Sequence, residues 1–275
     1  MRIELVDKSR QAMMGQCTHL LAVTYAFLLC LSATQARPVD SDGLPGLFIN
    51  SIGMEFVRVE RKSGPGATGS QPFYIGRYEV TVGQFERFEE ESGYRAEYHV
   101  RTRYTPTDAH PVAGVSYRDA VAFAGWLTAK DGLSYRLPKV SEWEIAAGGS
   151  DGRSYPWGSD PGRAGIHGNW GRGWRALSLG WLPTLVPVGS SPLGRSEVGA
   201  EDMIGNVSEW CEWDGVEELP SESSRKFPQH PLKGGCWTYP EPARICDHTV
   251  ADDNQGYKCF GFRLLLEMSE VSNYP

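Results

Sequence analysis

Between Gly148 and Pro231 the sequence loses almost all hydrophobic periodicity, yet six of the chain's nine tryptophans fall there: Trp157, Trp170, Trp174, Trp181, Trp210 and Trp213. A loop of that length does not persist inside a compact domain unless something orders it. Buried aromatic anchors, bound metal ions and disulfides are the available means. With 32 Gly and 18 Pro in 275 residues, both favoured in turns, the expected architecture is loop-rich and not a helix bundle.

Regular elements are expected on either side of this stretch. Leu47 to Glu60 alternates apolar and polar residues and reads as a strand pair or a bent strand. Phe73 to Val80 is β-prone, and Thr81 is placed to cap a helix carrying Phe85 and Phe88. A second helix is expected from Tyr117 to Ala129, where Ala120, Ala122, Phe123, Trp126 and Leu127 recur at helical spacing. A third includes Ser141 to Ala147, with Ser141 ahead of Glu144 in a capping-box pattern. Near the end, Leu232 to Trp237 and Phe260 to Leu266 read as strands that pair in a central sheet.

Arg2, Lys8 and Arg10 precede a short apolar run, Leu20 to Leu31, and Thr34-Gln35-Ala36 has the small-residue character of a cleavage site. This is the pattern of an export signal over 1–36. The run is shorter than the roughly 20 apolar residues that span a bilayer, so no stable membrane span is expected after its removal. A linker over 37–46, a single domain over 47–268 and a tail over 269–275 complete the expected organisation. The mature protein is thus expected to be periplasmic or secreted. Cys211, Cys236, Cys246 and Cys259 then remain, an even number in a compartment that permits oxidation, for which two disulfides are the simplest expectation. Three pairings are open. A net charge of −7, with no Lys/Arg cluster, argues against nucleic acid as a partner.

Seven segments, in order, are similar to the formylglycine-generating-enzyme (sulfatase-modifying factor) family. They are YIGRYEVTVGQF (74–85), HPVAGVSYRDAVAFAGWL (110–127), YRLPKVSEWEIAA (135–147), YPWG (155–158), DMIGNVSEW (202–210), LKGGCW (232–237) and GFRL (261–264). The resemblance implies an α+β, loop-rich, C-type-lectin-like fold with little regular secondary structure. It also implies a structural calcium held by Asp202, the carbonyls of Gly205 and Val207, and Glu209, hard oxygen donors that suit this ion. A competing reading has Asp202 capping a turn and Glu209 paired with a nearby Arg. The Asn206-Val207-Ser208 sequon inside this motif reads as coincidence. Asn169 and Trp170 match half of a second calcium site, but Gly171 to Val186, where the other half belongs, contains no acidic residue.

The family's generating enzymes oxidise a sulfatase cysteine with oxygen and a copper ion held by two cysteines that follow a Gly-Gly-Ser. Soft thiolates suit Cu(I). Here the matching stretch, Gly234 to Arg244, lacks that pair and carries Cys236 where the family has its serine, so copper is not expected. Cys236 is either a reactive thiol, and then the candidate catalytic residue, or half of a disulfide. Asp247, His248, Asp252 and Asp253 are candidates to line the same pocket. These features imply an exported accessory or protein-modifying member that acts on or docks to another exported protein. The alternative is a non-catalytic, calcium-stabilised binding or regulatory module.

Overall fold

The computed structural model describes residues 45–61, 71–97, 105, 107–148, 151–171, 185–215 and 227–267. The expected signal segment, most of the linker and the tail lie outside the described residues. Among the described residues no helix is long and apolar enough to cross a membrane.

The alternating segment forms two strands, β1 (Leu47–Ile49) and β2 (Glu55–Val59), paired antiparallel with Phe48 opposite Phe56. β3 (Phe73–Gly76) follows, and Thr81 caps α1 (Val82–Ser92) in a full capping box with Gln84. Ser116 does the same with Asp119 for α2 (Tyr117–Asp131), which ends at Gly132 in the left-handed region. Beyond the short β4 (Tyr135–Arg136) lies α3 (Val140–Gly148). Its start differs from the expected one: Ser141 is already helical and bonds Asp214. The side chain of Glu142 instead accepts from the Lys139 amide at 2.9 Å. Glu142 is held there by two bonds from Arg136, at 2.7 and 2.8 Å, and this ion pair sets the register of the helix entry.

After α3 come a 3-10 turn (Pro192–Gly194) and then β5 (Ser208–Trp210), β6 (Gln229–Lys233), β7 (Thr249–Asp252), β8 (Phe260–Gly261) and β9 (Leu265–Glu267). Among the described residues two sheets result, one ordered β1-β2-β3-β9-β4 and the other β7-β6-β5-β8. The two C-terminal segments expected to pair do not pair with each other. β5 stands between β6 and β8, while β9 crosses into the first sheet between β3 and β4. Leu265 and Leu266 are completely buried there, which is where so apolar a run gains most from leaving water.

The largest core cluster joins α1, α2 and the first sheet through Phe85 and Phe88, Phe123, and Phe56 and Tyr74 respectively. Phe85 stacks on Phe123 with ring centroids 5.8 Å apart. The Ser116 cap closes this layer, since Asp119, its partner, also accepts from Tyr94 at 2.6 Å. Ser116→Ala is therefore expected to cost about 1 kcal/mol, the typical value for a lost N-cap, read as a lower urea midpoint at unchanged slope.

Candidate functional site

The segment Asp202 to Trp210 winds tightly before it becomes β5. Asp202, Gly205 and Asn206 all have positive φ, of 53°, 90° and 57°. Gly205 must be glycine, because a Cβ there would lie 2.6 Å from the Asn169 carbonyl. Asn206 is the hub of the turn. Its side-chain oxygen accepts from the Asn169 amide group and the Val186 N–H, each at 3.1 Å. Its side-chain nitrogen donates to Glu79 at 2.9 Å. At 1% exposure with both ends bonded, Asn206 is closed to glycosylation, in line with the sequon being coincidental.

Glu209 is completely buried and receives the Arg263 guanidinium in fork geometry, Nε at 2.6 Å and Nη2 at 2.8 Å. Trp143 Nε1 donates to it at 2.9 Å. Arg263, equally buried, also donates to the backbone carbonyls of Gly76, Arg77 and Glu201 at 3.0, 3.2 and 2.9 Å. Glu209 is thus paired with an arginine, as the competing reading had it. Asp202 accepts from the Gly189 N–H at 2.5 Å and is pushed up to about 6 by burial.

Sequence reasoning missed Glu79. It is 1% exposed, accepts from Asn206 and the Val207 N–H, and is held well above the usual carboxylate range by burial, then by Asp202 and Glu209. The available signal was a lone acid inside the apolar, β-prone run Phe73 to Val82. Three buried carboxylates thus neighbour one guanidinium, and a neutral balance needs protons or a cation. Among the described residues no three His, Cys, Asp or Glu side chains form a ready-made metal cage. A calcium here would therefore draw on backbone carbonyls as well as Asp202 and Glu209, and hard oxygens beside excess negative charge fit that ion. Asn169 and Trp170 are both buried, at 2% and 4% exposure. Asn169 bonds the Asn206 turn, and Trp170 stacks on Trp157 with centroids 5.8 Å apart. Most of the stretch expected to complete a second calcium site, 172–184, lies outside the described residues.

Back to back with this turn lies the Gly234-Gly235-Cys236 turn, joined by the Gly205 N–H to the Gly234 carbonyl at 3.0 Å and the Trp237 N–H to the Asn206 carbonyl at 3.1 Å. Gly234 has φ 82°, and a Cβ on it would meet the Met203 carbonyl at 2.6 Å. Among the described residues all four expected cysteines carry free thiols. Cys236 and Cys259 are 1% and 3% exposed and share one small core cluster. Thr238 Oγ1 lies 3.1 Å from the Cys236 sulfur. The neighbouring Cys259 thiol, with help from Thr238 and Ser208, pulls Cys236 down to about 7, whereas Cys259 is pushed up by Cys236 and by burial.

Outside this pair is a pocket of about 260 Å³ whose wall includes Gly235, Tyr239, Pro240, Glu241, Asp247 and His248. Cys236 itself does not line it; Tyr239 touches both. Asp252 and Asp253, expected beside Asp247 and His248, lie elsewhere. Asp252 accepts from Gln229 at 2.9 Å, and Asp253 pairs with Arg118 at 2.8 Å. The pairing of β7 with β6 carries them away from the pocket.

Among the described residues, two small sheets, three helices and long ordered loops make this a C-type-lectin-like α+β scaffold. The structure of PvdO from Pseudomonas aeruginosa shares it, with a TM-score of 0.62 and 24% identity over 82% of this chain and 99% of that chain. Residues 51–268 match the Sulfatase-modifying factor enzyme 1-like domain, and the chain belongs to that family. The formylglycine-generating enzyme of Mycobacterium tuberculosis is 40% identical over 158 residues, 54% of this chain and 45% of that protein. Hercynine oxygenase of the same organism is 30% identical over 210 residues, 62% of this chain and 46% of that protein. The chain spans less than half the length of these two curated relatives.

Proposed function

We propose that this chain is an exported accessory or protein-modifying member of the family, that it receives a segment of another exported protein at the Gly234-Gly235-Cys236 turn, and that it is not a sulfatase cysteine oxidase. The observation that carries this reading is the pocket on that turn. At about 260 Å³ it is smaller than the ~300–1,000 Å³ of a drug-sized ligand site, and suits one or two side chains of an incoming chain. Leu232, Pro240, Pro242 and Ala243 offer an apolar seat, with Glu241 and Asp247 alongside. Such a wall matches an apolar residue flanked by a basic one. Export rests on the basic, then apolar, character of 1–36.

In the same reading Asp202, Glu209 and the carbonyls of Gly205 and Val207 hold a calcium ion whose role is structural. It supplies positive charge to a region with more carboxylates than cations. Asn169 and Trp170 brace the first site and do not form a second.

One observation favours the non-catalytic version: the Cys236 sulfur sits behind Tyr239, at 1% exposure. The test places a photo-crosslinking amino acid at Glu241, and for comparison at the exposed Val121 on α2, in the full chain expressed in its source cells. A discrete adduct with an exported protein from position 241 alone is expected. Equal labelling from both positions, or none from 241, overturns the proposal. Masses of the captured partner from cells with and without the chain then separate modifying from docking.

A further inference from the structure

We infer that Cys236 and Cys259 form a dithiol–disulfide couple, closed by exchange with a disulfide donor and set behind the pocket wall at Tyr239. The sequence leaves three pairings open, and the fold distinguishes them. Cys211 lies in a different core cluster, with its thiol on the Glu209 carbonyl, and Cys246 is exposed beside Asp247. Of these four, only Cys236 and Cys259 share a core cluster.

Each is also fixed by backbone bonds to the same short segment. The Cys259 carbonyl accepts from the Ser208 N–H at 2.7 Å, while the turn of Cys236 is tied to Asn206 through the Trp237 N–H at 3.1 Å. Two cysteines packed in one core cluster and anchored to one short segment are placed to pair, since a disulfide requires its two backbones to lie close together. Their roles differ. Thr238 Oγ1, 3.1 Å from the Cys236 sulfur, is placed to donate to a thiolate there, which makes Cys236 the attacking thiol.

The exchange balances in two steps. Cys236 is 1% exposed, so exchange proceeds through a local opening of the wall at Tyr239; the Cys236 thiolate then attacks one sulfur of the donor disulfide, and the donor's other sulfur leaves as a thiolate. Cys259 then gives up its proton and attacks the Cys236 sulfur, expelling the second donor thiolate. Two protein thiols lose two electrons, which reduce the donor to two thiols. Closure ties the Gly234-Gly235 turn to the entry of β8. Because the Tyr239 N–H donates to the Cys236 carbonyl at 2.9 Å, the bond also fixes the pocket wall. None of this depends on what the pocket receives.

Trypsin separates the relevant cysteines, with Cys236 in Gly234–Arg244, Cys246 in Ile245–Lys258 and Cys259 in Cys259–Arg263. The full chain is equilibrated with mixtures of oxidised and reduced glutathione, alkylated in denaturant and mapped by mass spectrometry. The expected product links Gly234–Arg244 to Cys259–Arg263, rising with the oxidised fraction, while the exposed Cys246 takes up glutathione as the control for oxidant. Cys236 and Cys259 both remaining alkylable when Cys246 is modified, or either joined to Cys211 or Cys246, overturns the inference. In Cys259→Ser, which lacks the resolving thiol, Cys236 is expected to stop at the glutathione adduct. An unmodified Cys236 in that variant equally counts against the couple.

Discussion

Replacing Arg263 with methionine lowers the unfolding free energy by about 3–5 kcal/mol, the usual cost of removing one partner of a buried ion pair. For a domain of this size that is a fall in Tm of roughly 6–20 °C. The cause is specific. Arg263 is completely buried and satisfies Glu209 with two bonds while closing the carbonyls of Gly76, Arg77 and Glu201. Methionine fills the volume of the stem and supplies none of those donors. Glu209 is then left charged with only Trp143 as a donor, in the company of Glu79 and Asp202. Arg263→Lys also loses stability, because one ammonium cannot reproduce a fork that reaches a carboxylate and three carbonyls at once. Adding Glu209→Gln to Arg263→Met recovers part of the loss, since the unpaired charge disappears. Urea unfolding of wild type, Arg263→Met, Glu209→Gln and the double variant gives the coupling directly. A loss below about 1 kcal/mol in Arg263→Met, or strict additivity in the double variant, would show that the pair does not hold the two sheets together.

Local pattern made the first half of this fold legible. The alternation from Leu47 to Glu60, the Thr81 cap and the aromatic spacing of α2 are short-range signals, and each appears where it was expected. The start of α3 was misplaced because its register is set by Arg136, on another element, and not by the local capping pattern. The second sheet was harder. β6 contains Pro231, normally a strand breaker, and it is tolerated with β5 and β7 on either side. β9 leaves the segment that precedes it for the other sheet, a choice made by long-range burial. At the site, the resemblance to the family pointed to Asp202 and Glu209. It did not reveal which arginine engages Glu209, or that Glu79 joins them from a position over 120 residues earlier. The same holds for the thiols: Cys236 stood out through its motif, but only the parallel pairing of β8 with β5 brings Cys259 to it.

Chelating calcium is expected to lower the Tm of the wild-type chain by about 5–10 °C, and Asp202→Asn is expected to abolish that response. The size follows from mass action. An ion at about 100 times its dissociation constant adds about 2.7 kcal/mol, and a domain of this length shifts by about 2–4 °C per kcal/mol. The direction of the substitution is the sharper test. Without calcium, Asp202 adds a third carboxylate to a buried region that holds one guanidinium, so asparagine relieves repulsion and the variant melts above wild type. With calcium, the variant has lost a ligand and melts below it. The two stability orders cross. Backbone strain does not confuse the comparison, because Asp202 has φ 53° and asparagine tolerates that left-handed conformation as readily as aspartate. Glu201→Gln, next door but paired with Arg77 at 2.8 Å, loses an ion pair in both conditions and produces no crossing. Magnesium does not substitute, since it demands a tighter octahedral shell and gives up its waters reluctantly. Equal melting of wild type with and without chelator would leave protonation as the means by which Glu79 and Asp202 are neutralised, and would end the case for a metal at this turn.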